Sequence, residues 1–318
     1  MKKMIYAKCQ MAQVVGVAAG LLAAVVLSGC AGSCHCAQPV TAGDIMAPGA
    51  EVVEISTAFT FTEGPAADAA GNVYFTDQPN NQIMIYTVDG RLETFMRPSG
   101  RSNGLYFDVD GTLIACADEY NELWRINVHT KEHTVLAQRY EGGLLNGPND
   151  VWVHPQKRWI YFTDPIYGRP WWDRGPSEQP CEGVYRINAD GTGLVRVIDD
   201  LVKPNGIIGT PDGKTLYVAD IQDRKTWAYA IQSDGSLANK RLFCEPGSDG
   251  MTLDCAGNVY LTGDGVMIFN PDGQQIAHIK IPQRWTSNVT FGGKDRRMLF
   301  ITASPAVYTL QMNVCGAF

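Results

Sequence analysis

The chain has 318 residues, 45% of them hydrophobic and 19% charged, with 33 glycines, 17 prolines and a formal net charge of −7. That is enough chain for one large β domain or two ordinary ones, with material for a buried core. The acidic balance argues against a nucleic-acid partner, which needs a basic face; it suits a solvated enzyme, and many other soluble proteins equally.

At the N-terminus, Lys2, Lys3 and Lys8 precede an uncharged apolar stretch over residues 14–27. The stretch is short for a membrane span and has the length of a signal-peptide core. It ends in Leu27-Ser28-Gly29-Cys30, which resembles a bacterial lipobox, where the cysteine is lipidated and becomes the first mature residue. Ordinary cleavage near Ala31 and an uncleaved anchor are the competing readings. The expectation is a lipoprotein signal peptide over residues 1–29, a flexible tether over 30–50 starting at lipidated Cys30, and a hydrolase domain over 51–318. Such a protein is exported, lipid-anchored in the bacterial envelope and faces the periplasm or cell surface. Its only membrane contact is the anchor. Cys34-His35-Cys36 falls in the tether, as a metal-binding or self-pairing Cys-x-Cys or as incidental linker.

From residue 63 onward one plan recurs: a polar residue beside Gly or Pro, a short apolar strand, an Asp-Gly or similar turn, then a second apolar strand. The repeats begin at Glu63, Asn103, Asn149, Asn205, Asp249 and Asn288, 39 to 56 residues apart. Most continue into a third strand, as at Ile83-Met84-Ile85-Tyr86 and Gly183-Val184-Tyr185-Arg186-Ile187, and a fourth, as at Leu92-Glu93-Thr94-Phe95. β-branched and aromatic residues bounded by Asp-Gly turns predict strands and hairpins. Six such units predict an all-β, six-bladed β-propeller with four-stranded blades around a central channel. A β-sandwich or two smaller β domains would not produce six repeats of similar size.

In a propeller the first strand of each blade lines the channel, so the six repeat-starting residues are expected to converge on the axis. A carboxylate or carboxamide from every blade suits a hard cation, which takes several oxygen ligands, some charged and some neutral. Ca²⁺ is the expected ion, and Zn²⁺, Mg²⁺ or Mn²⁺ are alternatives. Such an ion can polarise a carbonyl and acidify bound water. The competing reading is that Asn-Gly and Asp-Gly simply make the turns entering each strand. The longest interval carries an aromatic insertion, Tyr167 to Pro176, with Trp171 and Trp172; it is read as a lid over the channel mouth or as a packing plug.

Several segments in this order resemble the gluconolactonase/regucalcin family of six-bladed propellers, and more distantly di-isopropyl fluorophosphatase. They are Thr62-Glu63-Gly64-Pro65, Ser102-Asn103-Gly104-Leu105, Gly147-Pro148-Asn149-Asp150-Val151, Tyr161-Phe162-Thr163-Asp164-Pro165-Ile166-Tyr167-Gly168, Pro204-Asn205-Gly206-Ile207 and Ser248-Asp249-Gly250-Met251. The resemblance runs from about residue 50 to about residue 312. It implies a divalent cation held by Glu63, Asn149, Asn205 and Asp249, with Asp249 as general base or nucleophile, and Asn103 near the substrate. Arg101, Tyr167 and Trp171 are the further candidates for binding a small lactone or ester. Arg101 is otherwise a solvated loop residue.

Five cysteines, Cys116, Cys181, Cys244, Cys255 and Cys315, are scattered through the domain without zinc-ligand spacing. A bridge such as Cys244–Cys255 is compatible with an oxidising compartment. None of the five histidines, including His154, opens a repeat, which disfavours a histidine-assisted mechanism. No Gly-x-Ser-x-Gly elbow or phosphate-binding glycine loop is present. The chemistry expected is cation-dependent lactone or ester hydrolysis. A phosphotriesterase-like activity, or a non-catalytic propeller that binds a partner or glycan, are the alternatives.

Overall fold

The computed structural model describes residues 45–318; the expected signal peptide, Cys30 and the Cys34-His35-Cys36 cluster lie outside the described residues. β1 (Val53–Ser56) comes first. Blade 1 is β2 (Thr62–Ala67), β3 (Val73–Asp77), β4 (Gln82–Tyr86) and β5 (Leu92–Met96). Blade 2 is β6 (Ser102–Phe107), β7 (Leu113–Ala117), β8 (Glu122–Ile126) and β9 (His133–Ala137), followed by a ribbon of β10 (Arg139–Tyr140) and β11 (Gly143–Leu144). Blade 3 is β12 (Val151–Val153), β13 (Ile160–Asp164), β14 (Gly183–Ile187) and β15 (Val195–Ile198). Blade 4 is β16 (Pro204–Gly209), β17 (Thr215–Asp220), β18 (Lys225–Ile231) and β19 (Leu237–Cys244). Blade 5 is β20 (Met251–Leu253), β21 (Val259–Gly263), β22 (Gly265–Phe269) and β23 (Gln275–Ile279). Blade 6 is β24 (Asn288–Gly292), β25 (Met298–Ala303) and β26 (Ala306–Gln311), with β1 as its outermost strand.

The six-bladed propeller follows from local chemistry. The second strands β3, β7, β13 and β21 are buried along their whole length. Each is covered on both faces by neighbouring blades, so these strands read as continuous apolar runs, while outer strands such as β9 are largely exposed. Hairpins turn on an aspartate that accepts the amide two residues on, as Asp110 does from Thr112 and Asp190 from Thr192, both at 3.0 Å. The glycine between them takes the left-handed conformation that a side chain resists, with φ +81° at Gly111 and +83° at Gly191.

Two features differ from the sequence expectation. The last repeat does not supply its own fourth strand: β1 pairs antiparallel with β26, Glu54 opposite Tyr308, so the two ends of the domain close the ring together. The folded part also begins before residue 51. Ile45 is fully buried and accepts the Asn313 amide at 2.8 Å, and Met46 bridges Met312. Residues 45–50 are thus seated on blade 6, not part of a free tether. The inner strands follow one another around the axis in the order β2, β6, β12, β16, β20, β24 and back to β2. Their far ends surround a cavity of about 720 Å³ whose inner end reaches Asp150 and Asn288.

Candidate active site

The second strand of a blade ends in Thr-Asp or a variant of it, and these residues fix the mouth of the adjoining inner strands. Thr76 Oγ1 donates to the Asn103 carbonyl at 3.0 Å and Thr302 Oγ1 to the Asn288 carbonyl at 3.1 Å. Thr163 Oγ1 accepts the Asp150 amide at 3.1 Å, and Thr262 Oγ1 the Gly250 amide at 2.8 Å. The aspartate then gathers the entering loop. Asp164 accepts the amides of Asn146 and Gly147, each at 2.8 Å, and Asp220 those of Val202 and Lys203 at 2.7 and 3.0 Å. These side chains give buried backbone groups the partners they need where strand pairing runs out.

The glycine that follows Glu63, Asn103, Asn205 and Asp249 is set by proximity. A Cβ at Gly64 would stand 2.2 Å from the Asn103 carbonyl oxygen, at Gly104 2.6 Å from that of Asn149, and at Gly250 1.9 Å from Asn288 Cγ. Gly104, Gly206 and Gly250 also lack a positive φ. Turn-making therefore does not explain them: the bare backbone lets neighbouring mouths approach the axis closely.

The polar side chains meet on that ring. Asp249 Oδ1 accepts from Asn205 Nδ2 at 2.8 Å, and Asp249 Oδ2 from Trp285 Nε1 at 2.6 Å. Asn205 Nδ2 also donates to the Tyr167 hydroxyl at 2.7 Å. Both amide hydrogens of Asn205 are thereby used, while its Oδ1 is buried without a hydrogen-bond partner. Glu63 Oε2 accepts from the Gly64 amide at 2.9 Å and from Asn288 Nδ2 at 3.3 Å. Asn103 and Asn149 are buried at the two mouths between, and the Asn149 carbonyl accepts the Gly104 amide at 2.7 Å.

Burial, and next the nearby Asp249 charge, push the Glu63 carboxyl well above the ordinary range. Burial likewise raises Asp249 to about 6, opposed by its bonds from Trp285 and Asn205. Asp150, one residue past Asn149, is raised to about 7 by burial against the restraint of the Val151 and Ile207 amides. Two buried carboxylates that repel each other, beside an orphaned amide oxygen, fit a divalent cation: it would relieve the repulsion and satisfy the oxygen together. No cluster of three or more His, Cys, Asp or Glu forms among the described residues, so an ion here would have to take amide oxygens as well.

The insertion between β13 and β14 supplies the wall beside Asn205. Arg169 Nε donates to Asp118 Oδ2 at 2.8 Å, and Gln78 Nε2 donates to the same oxygen at 2.6 Å, fastening the loop to blades 1 and 2. The Arg169 guanidinium lies 5.0 Å from the Tyr167 ring. The Trp171 ring is faced by Arg101 at 4.7 Å and by Arg169 at 5.7 Å. Arg101 also donates to the Pro79 carbonyl at 2.5 Å and pairs with Glu119 at 3.4 Å.

Residues 61–305 match the family described as SMP-30/Gluconolactonase/LRE-like region. The chain belongs to this family. Among its relatives, the gluconolactonase of Zymomonas mobilis is 30% identical over 293 residues, covering 82% of this chain and 81% of that protein. The 6-deoxy-6-sulfogluconolactonase of Pseudomonas putida is 32% identical over 229 residues, 68% of this chain and 73% of that one. A solved structure of a gluconolactonase from Xanthomonas campestris superposes with a TM-score of 0.78 at 30% identity, covering 84% of this chain and 91% of that one.

All the candidate residues of this SMP-30/gluconolactonase-like chain other than Cys30 lie within the matched segment. The structure links Asn205, Asp249 and Tyr167 directly, and places Glu63 within electrostatic reach of Asp249. Arg101 faces the Trp171 ring of the insertion, with the Arg101 charge already shared with Glu119. Sequence reasoning missed Trp285, Asp150 and Arg169. Asp150 had a visible signal, since it stands where Glu63, Asn103, Asn205 and Asp249 are each followed by glycine. Trp285 had none: it sits in the link before Asn288, and only the ring brings it onto Asp249.

Proposed function

We propose that this protein is a divalent-cation-dependent hydrolase of the gluconolactonase type, opening a small, sugar-derived lactone or ester. Family membership supports lactone hydrolysis. The observation that carries the cation is the orphaned Asn205 Oδ1 beside the buried Glu63 and Asp249 carboxylates. Glu63, Asn149, Asn205 and Asp249 would hold the ion, and this all-oxygen set of two charged and two neutral ligands favours Ca²⁺. When bound, the ion supplies a Lewis acid for the substrate carbonyl.

The chain's own residues supply the rest. Asn205 and Trp285 each donate to one Asp249 oxygen, which fixes the plane of the carboxylate. Asp249 takes a proton from water as the water oxygen bonds to the carbonyl carbon, and returns it to the ring oxygen when the C–O bond breaks. In the alternative route Asp249 bonds to the carbonyl carbon as the ring C–O bond breaks; water then cleaves the resulting anhydride, freeing Asp249, and the ring oxygen is protonated to the open hydroxy acid. Burial raises the Tyr167 hydroxyl above its ordinary range and keeps it neutral, so it accepts from Asn205 and has its own hydrogen to donate to substrate. Asn103, Arg101 and Trp171 complete the substrate side.

The test is ring opening of gluconolactone and of simple aryl esters with Ca²⁺, Zn²⁺ or chelator, beside Asp249→Ala. Turnover that is abolished by chelator and by the substitution supports the proposal. Cation binding with no turnover of lactone, ester or phosphotriester overturns it. We further propose that the protein is exported and lipid-anchored at Cys30; persistence of the membrane fraction in Cys30→Ala would contradict that.

A further inference from the structure

Outside the site, two cysteines that the hydrolytic reading leaves unused are brought together by the last residues of the sequence. After Met312 the chain passes beneath blade 6 and pairs with the end of β20. The Ala317 amide donates to the Leu253 carbonyl at 3.0 Å, Gly316 bridges Asp254, and the Cys255 amide donates to the Cys315 carbonyl at 2.8 Å. This antiparallel register sets Cys255 directly opposite Cys315. Opposed residues in such a pair have Cα atoms about 4.5–5.5 Å apart, inside the range a disulfide spans. The two sulfurs lie 2.7 Å apart.

The turn that carries Cys255 is firmly held, because Asp254 accepts from the Ala256 and Asn258 amides at 2.9 Å each and from the Tyr260 hydroxyl at 3.0 Å. Cys244, the partner suggested by sequence, is instead buried at the end of β19 beside Thr226. Beyond Cys315, residues Gly316 to Phe318 line the cavity at the far end of the axial channel, and the Phe318 ring meets Tyr106 edge-on at 6.1 Å.

We propose that Cys255 and Cys315 form a disulfide that latches residues 315–318 across the far end of the axial channel. With a small-molecule disulfide such as oxidised glutathione as oxidant, the partly exposed Cys255 reacts first. Its thiolate attacks one glutathione sulfur and releases one reduced glutathione. The Cys315 thiolate then attacks the Cys255 sulfur and releases the second. The two electrons and the two thiol protons end on the two glutathione molecules. The latch is independent of the lactonase reading, since it involves no residue of the axial ring.

The test uses the full chain incubated with oxidised glutathione, alkylated with iodoacetamide and digested with trypsin. Mass spectrometry is expected to find peptide 242–280 joined to peptide 298–318. The link should survive Cys244→Ser and vanish in Cys255→Ser and Cys315→Ser. Hydrogen exchange at the Gly316 and Ala317 amides should accelerate by about tenfold or more when the wild-type protein is reduced, while exchange in β13 stays constant. Oxidised protein should also melt about 5 °C above reduced protein, because the bridge closes a long loop in the unfolded chain. Alkylation of both Cys255 and Cys315 after oxidation, or a link from Cys255 to Cys244, would overturn the proposal. Exchange at the tail that ignores reductant would overturn the latch.

Discussion

Gly250→Ala tests the close approach of strand mouths on which the axial site depends. The added methyl would stand 1.9 Å from Asn288 Cγ, 2.1 Å from its Oδ1 and 2.3 Å from its Nδ2, where ordinary contacts need about 3.5–4 Å. The Asn288 amide must therefore move out of the way. It is buried and held at both ends: Oδ1 accepts the Val289 amide at 2.8 Å, and Nδ2 donates to Glu63 at 3.3 Å. Losing a neutral hydrogen bond costs about 1 kcal/mol and one to a carboxylate about 1.5–3, so the expected loss is about 2–4 kcal/mol. For a domain of this size that lowers Tm by about 4–8 °C. Glu63 also loses a restraint, and kcat/KM for lactone opening at fixed cation concentration should fall by about tenfold. The assay compares Gly250→Ala, Asn288→Ala and the double variant by thermal unfolding and turnover. In the double variant the methyl no longer meets an amide, so the double should be no less stable than Asn288→Ala alone. A Gly250→Ala protein that melts within 1 °C of wild type, or a double variant whose losses simply add, would refute the reasoning.

Three further outcomes are expected. Trp285→Phe keeps a ring at a position 38% exposed but removes the donor to Asp249; kcat/KM should fall by about tenfold or more with little change in Tm, and unchanged kinetics would count against Trp285 as a positioning residue. Asp118, which holds the β13–β14 insertion through Arg169 and accepts from Gln78 of blade 1, is raised to about 6, chiefly by burial. Its folded value exceeds the unfolded one, so its contribution is complete below about pH 4 and is lost as pH rises through 6. Relative to Asp118→Asn, the wild-type protein should lose on the order of 2–3 kcal/mol between pH 4 and pH 7, and parallel stability curves would refute this. Ca²⁺ at a hundredfold excess over its Kd should stabilise the wild-type protein by about 2.7 kcal/mol, and Asn205→Ala should weaken that response. Indifference of the wild-type Tm to Ca²⁺, Zn²⁺, Mg²⁺ and Mn²⁺ alike would remove the cation.

Much of the propeller was legible in the sequence because its signals are local. Apolar runs such as Tyr74-Phe75 and Tyr161-Phe162, closed by Asp-Gly turns, mark strands within a few residues of each other, and six repeats set the number of blades. The same spacing located the mouth residues Glu63, Asn103, Asn149, Asn205, Asp249 and Asn288, since each holds one place in the repeat. What those residues touch was not legible. That Asn205 spends both amide hydrogens on Asp249 and Tyr167, leaving Oδ1 without a partner, depends on how blade 4 faces blade 5 and the β13–β14 insertion.

The sequence by itself determined the architecture and the chemical character of the axis, because strand period, turn chemistry and repeat spacing act over short stretches of chain. Only the tertiary structure decided how the ring closes and what closure brings together. β1 completes blade 6, and Tyr308 donates at 3.3 Å to Glu54, 254 residues earlier. Trp285 reaches Asp249, and Cys255 meets Cys315 instead of Cys244. These contacts join segments with no shared periodicity. Their geometry is set by inter-blade packing and by the meeting of the propeller domain's two ends, and no pattern along the chain records either.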